Sequence, residues 1–410
     1  MKSDTPSKHA SPGFNLRSVP AYLLAKAVPG LIVFLSVPVF VHLFGSANYG
    51  QWARTWAVAT AASAVGVGWI RQAVLREASS SRVSATLGPL PILISILVTA
   101  LVVACVAWGG ESPDLAFTAS AGLFAATFAI YSVRLTDAQA LQREWAFNVA
   151  ELARTVLGLL GTVALGLSFG SASEWILLGN AFGNLAGFLI VSRRVHQAAI
   201  VRWQWRSAFD YGWPMSLWLG LSMMVLYTDR FIVGAFRSAL EAGSYAAASD
   251  LVIRGTGMVL IPVTMAAHPQ LMAAYNSGAR GEAFEALRKW TRLMLAASFV
   301  SVFATIAGAV VLLPSRLLPN QVLVVSLLAL AAAIWQISLL LHKPAELARD
   351  TRSMLRNISL AWVLGTIVGV AATQHLGGVG AALGTLTGAT CYALLALRGS
   401  RRFDLRIEGP

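Results

Sequence analysis

The chain alternates long apolar runs with short polar connections, and twelve runs approach or exceed the length, about 20 residues, that a helix needs to cross a bilayer. They cover 18–44, 50–70, 87–108, 114–134, 152–169, 174–192, 208–236, 243–267, 290–313, 319–341, 355–373 and 378–397. The first two are joined by Gly45-Ser-Ala-Asn-Tyr-Gly50, a turn-rich hexapeptide that fits a hairpin between antiparallel helices. Ahead of the ninth run, Glu285 stands four residues before Lys289, with Phe284 and Leu287 at helical spacing, which predicts a short surface helix over 281–290. The expected fold is an all-α integral membrane protein with twelve transmembrane helices.

Composition agrees with that pattern. The 410 residues are 57% hydrophobic and 12% charged, where an ordinary soluble domain carries about a quarter charged residues. The first 17 residues are polar, contain Pro6 and Pro12 and lack a small-residue cleavage site, so they read as a tail and not as a cleaved signal. Cys105 and Cys391 both fall inside apolar runs, so neither a disulfide nor a metal site is expected.

The net charge of +13 is distributed unevenly. The amino tail holds Lys2, Lys8 and Arg17, and basic residues such as Arg71, Arg76, Arg134, Arg143, Arg193, Arg194, Arg288, Lys289, Lys343, Arg352, Arg401 and Arg402 recur in every second connection and in the carboxyl tail. The opposite side carries Arg230, Arg237 and Arg316. The positive-inside rule places both termini in the cytoplasm. Basic residues scattered over separate connections do not form a nucleic-acid surface, and no nucleic-acid partner is expected.

The chain also repeats itself. Gly179, Gly183 and Gly187 put three glycines on one face of the sixth run, and Gly380, Gly384 and Gly388 repeat the spacing in the twelfth, 201 positions later. Tyr49-Gly50-Gln-Trp52-Ala53 has its counterpart in Ala242-Gly243-Ser-Tyr245-Ala246, with Gly243 193 positions after Gly50. Similar offsets imply one duplication, giving six-helix lobes at 1–197 and 208–410 in the same orientation, related by a pseudo-twofold along the membrane normal. The segment 198–207, with Trp203 and Trp205 among arginines, reads as a linker lying on the cytoplasmic surface.

Candidate chemistry lies in the charges that fall within the runs. Lys26 and Arg54 each lack an acid within helical reach, whereas Asp229 and Arg230 are adjacent and Asp250 and Arg254 are four apart, able to pair on one helix face. Four embedded cations against two acids leave about two positive charges, at a cost of about 2.5 to 3.5 kcal/mol each, unless a cavity and an anion receive them. Snorkelling to an interface is the alternative for Lys26 and Arg54. Arg134, beside Asp137, belongs either to a solvated helix extension or to the inner mouth of the cavity.

Two stretches carry a family resemblance. Ala25-Lys-Ala-Val-Pro29-Gly30, Pro38 and Leu43-Phe-Gly45-Ser-Ala-Asn-Tyr49-Gly50, with Tyr211-Gly-Trp-Pro214, Thr228-Asp229-Arg230-Phe-Ile-Val-Gly234 and Gly243-Ser-Tyr245, resemble the Wzx-type O-antigen flippases. These are polysaccharide transporters of the multidrug, oligosaccharidyl-lipid and polysaccharide (MOP) exporter superfamily. The resemblance implies a MATE/MOP-like bacterial inner-membrane protein that flips an undecaprenyl-pyrophosphate-linked oligosaccharide for O-antigen or exopolysaccharide synthesis. It implies alternating access, work alongside other polysaccharide assembly proteins, and no cofactor beyond a coupling ion, a proton or sodium. The related lipid II flippases carry cavity cations on the first, second and eighth helices, and Lys26, Arg54 and Arg254 occupy such places here, with Asp250 and Asp229 as pairing acids. Lys26 departs from the expected arginine, and the two extra helices of the lipid II branch are missing. Efflux of organic cations by the drug-export branch is the alternative, though it would call for an excess of embedded acids. A membrane enzyme of polysaccharide assembly would call for a large surface loop, and the outer connections are only a few residues long.

Overall fold

A computed structural model describes residues 18–81, 84–86, 89–109, 114–141, 143–195, 200–202, 205–313, 320–348 and 350–407, with side chains at most of these positions. In chain order the helices are α1 Ser18–Gly66, α2 Gly68–Ser81, α3 Pro89–Trp108, α4 Leu115–Ala140, α5 Glu144–Phe169, α6 Ser173–Val195, α7 Trp205–Phe236, α8 Ala239–Asn276, α9 Arg280–Leu312, α10 Gln321–Leu341, α11 Lys343–Leu347, α12 Thr351–Leu376 and α13 Gly378–Ile407. Eleven of these are long and apolar enough to cross a membrane. The first of them crosses twice, because Gly45 leaves helical geometry at φ 80°, ψ 158°, a conformation that residues with a Cβ rarely adopt. The Phe40 and Trp52 rings, twelve positions apart, lie 6.0 Å apart; an unbroken helix would separate them by about 18 Å. The expected hairpin is therefore present, with the turn compressed to Gly45 and Ser46–Gly50 already helical. Twelve legs result, and the chain is a multi-pass membrane protein.

Several expected boundaries move. α5 starts at Glu144 and not near 152, and the surface helix expected over 281–290 is the unbroken first part of α9. The all-helical expectation also needs one correction: β1 (Ser84–Thr86) pairs in parallel with β2 (Ile200–Arg202), in the register Ser84↔Ile200 and Thr86↔Arg202. Hydrogen-bonded pairing thus ties the connection after α2 to the expected linker, which a free surface segment would not do. Trp205 opens α7 and is 53% exposed, whereas Trp203 lies outside the described residues.

Small residues set the packing within each group of helices. A Cβ on Gly183 would meet Gly158 Cα of α5 at 2.7 Å, and one on Gly384 would meet Gly369 Cα of α12 at 2.5 Å. Both glycine faces therefore sit at close helix approaches, where any side chain would push the backbones apart. α3 to α6 pack on one another and on α1, and α9 to α13 pack on one another and on α7 and α8. The two groups meet where α1 and α2 run against α7 and α8. Apolar side chains on the outer faces, such as Leu97 and Leu101 of α3 and Phe299, Phe303 and Val311 of α9, are exposed, as lipid-facing positions should be.

Candidate functional site

The seam between the two groups follows from a few close approaches. α7 runs antiparallel to the second leg of α1 and α2: Gly212 lies against Trp69, Gly220 against Val65 and Gly234 against Arg54. α8 follows the first leg, with Met258 against Gly30 and Phe34 against Gly255. At the Gly45 end, a Cβ on Gly50 would fall 2.5 Å from Gly243 Cα. Those are the glycines that the sequence comparison of the two hairpin motifs aligns with each other.

Three buried charges, Asp229, Arg230 and Asp250, and the partly buried Arg254 lie beside this seam on α7 and α8. Arg230 is fully buried and places Nη2 2.5 Å from Asp250 Oδ1, while its guanidinium carbon stands 4.5 Å from the centre of the Tyr227 ring. Asp250 Oδ2 accepts hydrogen bonds from the Tyr49 hydroxyl of α1 and from Arg254 Nη2, the latter at 3.4 Å. Arg254 in turn donates through Nη1 to the Val33 carbonyl of α1 at 3.0 Å, and lies 5.7 and 5.8 Å from the Trp52 and Trp56 ring centres. Asp229 accepts from the hydroxyls of Tyr245 at 2.8 Å and Thr385 at 3.2 Å. Two carboxylates and two guanidiniums make the cluster neutral, and the pairing compensates much of the desolvation that each charge alone would suffer.

This arrangement leaves the expected charge count as it was and changes the pairing. Asp250 and Arg254 do pair, at i and i+4, but the shorter partner of Asp250 is Arg230 on the neighbouring helix. Arg254 is a bonded member of the cluster and not a loose cavity cation; its side chain is 14% exposed. Arg54 differs. It is half-buried, no carboxylate pairs with it among the described residues, and its guanidinium lies so close to Gly234 that a Cβ there would overlap Nη1. Lys26 lies on the first leg of α1, and its side chain is outside the described residues. Arg134 bonds Asp137 at 3.2 Å at the far end of α4, with its side chain 44% exposed. Near it, the Tyr131 hydroxyl donates to Glu151 at 2.6 Å, Glu151 pairs with Arg154 at 3.3 Å, and Arg71 donates to Thr136 at 3.0 Å.

Tyr49, Tyr245, Thr385 and the Val33 carbonyl were not singled out from the sequence as site groups. A signal did exist for the tyrosines, since both fall in the repeated hairpin motif around Gly50 and Gly243. Among the described residues no group of three His, Cys, Asp or Glu side chains has metal-site geometry.

Neither protein-family models nor curated proteins match the sequence. Solved structures do resemble it. A mutant of the Vibrio cholerae MATE transporter VcmN superposes with a TM-score of 0.69 at 17% identity, covering 96% of this chain and 98% of that one. The chain has the MATE/MOP transporter fold. The lipid II flippase MurJ in an inward closed conformation gives 0.67 at 13% identity over 95% of this chain and 90% of its own. An outward-facing multidrug resistance MATE transporter of the MOP superfamily gives 0.62 at 13% identity, over 99% and 100% of the two chains. This transporter fold spreads over the whole chain and spans the seam just described.

Proposed function

We propose that the protein translocates an anionic, lipid-linked saccharide across the bacterial inner membrane. The cargo class is an undecaprenyl-pyrophosphate-linked oligosaccharide destined for O-antigen or exopolysaccharide, handed on to other polysaccharide assembly proteins. The observation that carries the reading is Arg54, a half-buried guanidinium at the seam with no carboxylate partner among the described residues. A planar guanidinium in low dielectric binds phosphate through paired donors. The lobes 1–197 and 208–410 rock about the seam and expose it alternately to the two sides, with both termini in the cytoplasm.

When the lobes part, Arg254 loses the Val33 carbonyl and keeps Asp250, because Asp250 shares its helix and Val33 does not. One donor face of Arg254 is then free to take a pyrophosphate oxygen, and Arg54 and Lys26 are the further cations of the proposed site. Asp250 holds Arg230 and Arg254 in place throughout, and Asp229, fixed by Tyr245 and Thr385, balances the cluster's charge. The likeness in fold to a lipid II flippase supports a lipid-linked cargo. The reaction is transport without covalent chemistry, driven by a proton or a sodium gradient.

Efflux of organic cations is the second reading, favoured by Asp229, which lines a narrow cleft with Thr228, Trp362, Thr366 and Thr385 and by the likeness in fold to MATE transporters. Proteoliposomes loaded on one face with a fluorescent undecaprenyl-pyrophosphate saccharide test the two together. Protein-dependent movement of that lipid, lost in Arg54→Ala, supports the flippase. Transport of ethidium with no lipid movement would replace it by the efflux reading, and imposing sodium or pH gradients in turn identifies the coupling ion.

A further inference from the structure

Away from the seam, a cavity of about 410 Å³ opens at the end of the helices opposite Gly45, between the close of α10, α11, the start of α12 and the end of α13. That volume falls within the range of small-molecule sites, about 300 to 1,000 Å³. Its floor is rigid. The Tyr392 hydroxyl accepts from Trp218 Nε1 at 2.9 Å and lies 3.2 Å from His342 Nδ1, while His342 Nε2 is 3.4 Å from Glu346. Glu346 is also bonded to Lys343, whose ammonium reaches His268 Nδ1 at 2.9 Å.

The rim is basic. Arg352 and Arg356 lie one helical turn apart and both line the cavity with Asn357, and neither has a carboxylate partner among the described residues. Among the described residues the acid on the rim is Asp350, which accepts from the Ser353 amide at 3.1 Å as the helix cap and pairs with neither arginine. Like charges one turn apart repel by a few tenths of a kcal/mol, and an anion held between these two exposed guanidiniums would relieve that repulsion. Guanidinium forks match phosphate oxygens in geometry. The site stands at the level of membrane headgroups, since α10, α12 and α13 all begin or end there, and basic pockets between transmembrane helices at that depth suit phospholipid headgroups.

We propose that this cavity is a phosphate-binding site separate from the transport seam, with Arg352 and Arg356 as its anion ligands and Asn357 as a neutral hydrogen-bonding wall. The phosphate comes from an anionic phospholipid headgroup or from free phosphate, and the two arms of one experiment separate these sources. In the first arm, wild-type protein is released from bilayers of phosphatidylglycerol and phosphatidylcholine, and retained lipid is counted by native mass spectrometry. In the second, inorganic phosphate is titrated in detergent and the shift in thermal transition is followed.

Wild type should retain phosphatidylglycerol, respond to inorganic phosphate, or do both. Arg352→Gln/Arg356→Gln should weaken whichever response is seen by about tenfold or more, as expected when charge-assisted bonds are lost. Asn357→Leu, which removes the hydrogen-bonding wall without changing charge, should also weaken the response and provides a second variant should the double substitution fold poorly. Arg193→Gln/Arg292→Gln, which removes two exposed arginines elsewhere, should leave binding unchanged. A response in the lipid arm alone assigns the headgroup, and one in the phosphate arm assigns the free ion. Equal binding by wild type and both cavity variants, or an equal loss in the control pair, would overturn the site.

Discussion

Asp250→Asn should be among the most damaging single substitutions in the protein, more so than its distance from any surface loop would imply. Asp250 is 1% exposed and serves Arg230, Arg254 and Tyr49 together. Neutralising it leaves Asp229 against two guanidiniums, so one positive charge remains unpaired next to Arg230, which is itself 0% exposed. Breaking a buried pair from one side costs about 3 to 5 kcal/mol, while removing both partners together is near neutral. The double variant Arg230→Met/Asp250→Leu should therefore lose less than the sum of Arg230→Met and Asp250→Leu, although Arg254 and Tyr49 still lose their acceptor in it. The assay is the thermal transition of detergent-solubilised protein followed by size-exclusion fluorescence, read as a double-mutant cycle. A loss below about 1 kcal/mol in Asp250→Asn, or additive losses in the cycle, would refute the claim that a mutually compensated cluster holds α7 to α8.

The remaining predictions concern packing and cargo. Gly183→Leu and Gly384→Leu should each lower folded yield and thermal stability, because the nearest atoms are backbone and cannot move aside; unchanged stability in both would contradict the close approaches. Arg54→Ala should abolish most lipid movement at matched membrane abundance, and Arg54→Lys should retain more, because the charge survives while the paired donors do not. Equal activity in all three proteins would remove Arg54 from the site.

Most of the fold could be read from hydropathy, because a bilayer leaves a spanning segment few alternatives to a long apolar helix. The Gly45 turn was visible for a related reason: the polar hexapeptide is too short to hold anything else. What escaped detection depends on neighbours distant in sequence. Spacing arithmetic pairs Asp250 with Arg254 because it sees one helix at a time, and Arg230 enters only once α7 and α8 are side by side. The strand pair 84–86 with 200–202 is likewise a contact between two connections that carry no alternating pattern of their own. The tyrosines were legible as a repeat and not as ligands, since a hydroxyl reveals its role only when its acceptor is located.

The division of labour at the seam bears on how it can open. All four charges of the cluster belong to α7 and α8, whereas the groups that α1 presents to it are neutral: the Tyr49 hydroxyl, the Val33 carbonyl and the Trp52 and Trp56 rings. If the lobes part as proposed, the Arg230–Asp250 and Arg254–Asp250 pairs stay intact, and what is given up is hydrogen bonds worth about 0.5 to 3 kcal/mol each and the ring contacts of Arg254. That is the scale on which a bound ligand can shift a population; separating a buried ion pair is not. Tyr49→Phe isolates this term, since it deletes one cross-seam bond and leaves every charge and the ring packing against Trp52 in place. The variant should fold at wild-type yield and shift the equilibrium toward open forms by about 1 kcal/mol, roughly fivefold in population. Spin labels placed on α3 and α9, outside the seam, read that shift as a change in the distance distribution. Identical distributions in Tyr49→Phe and wild type would mean that the bond between Tyr49 and Asp250 plays no part in alternation.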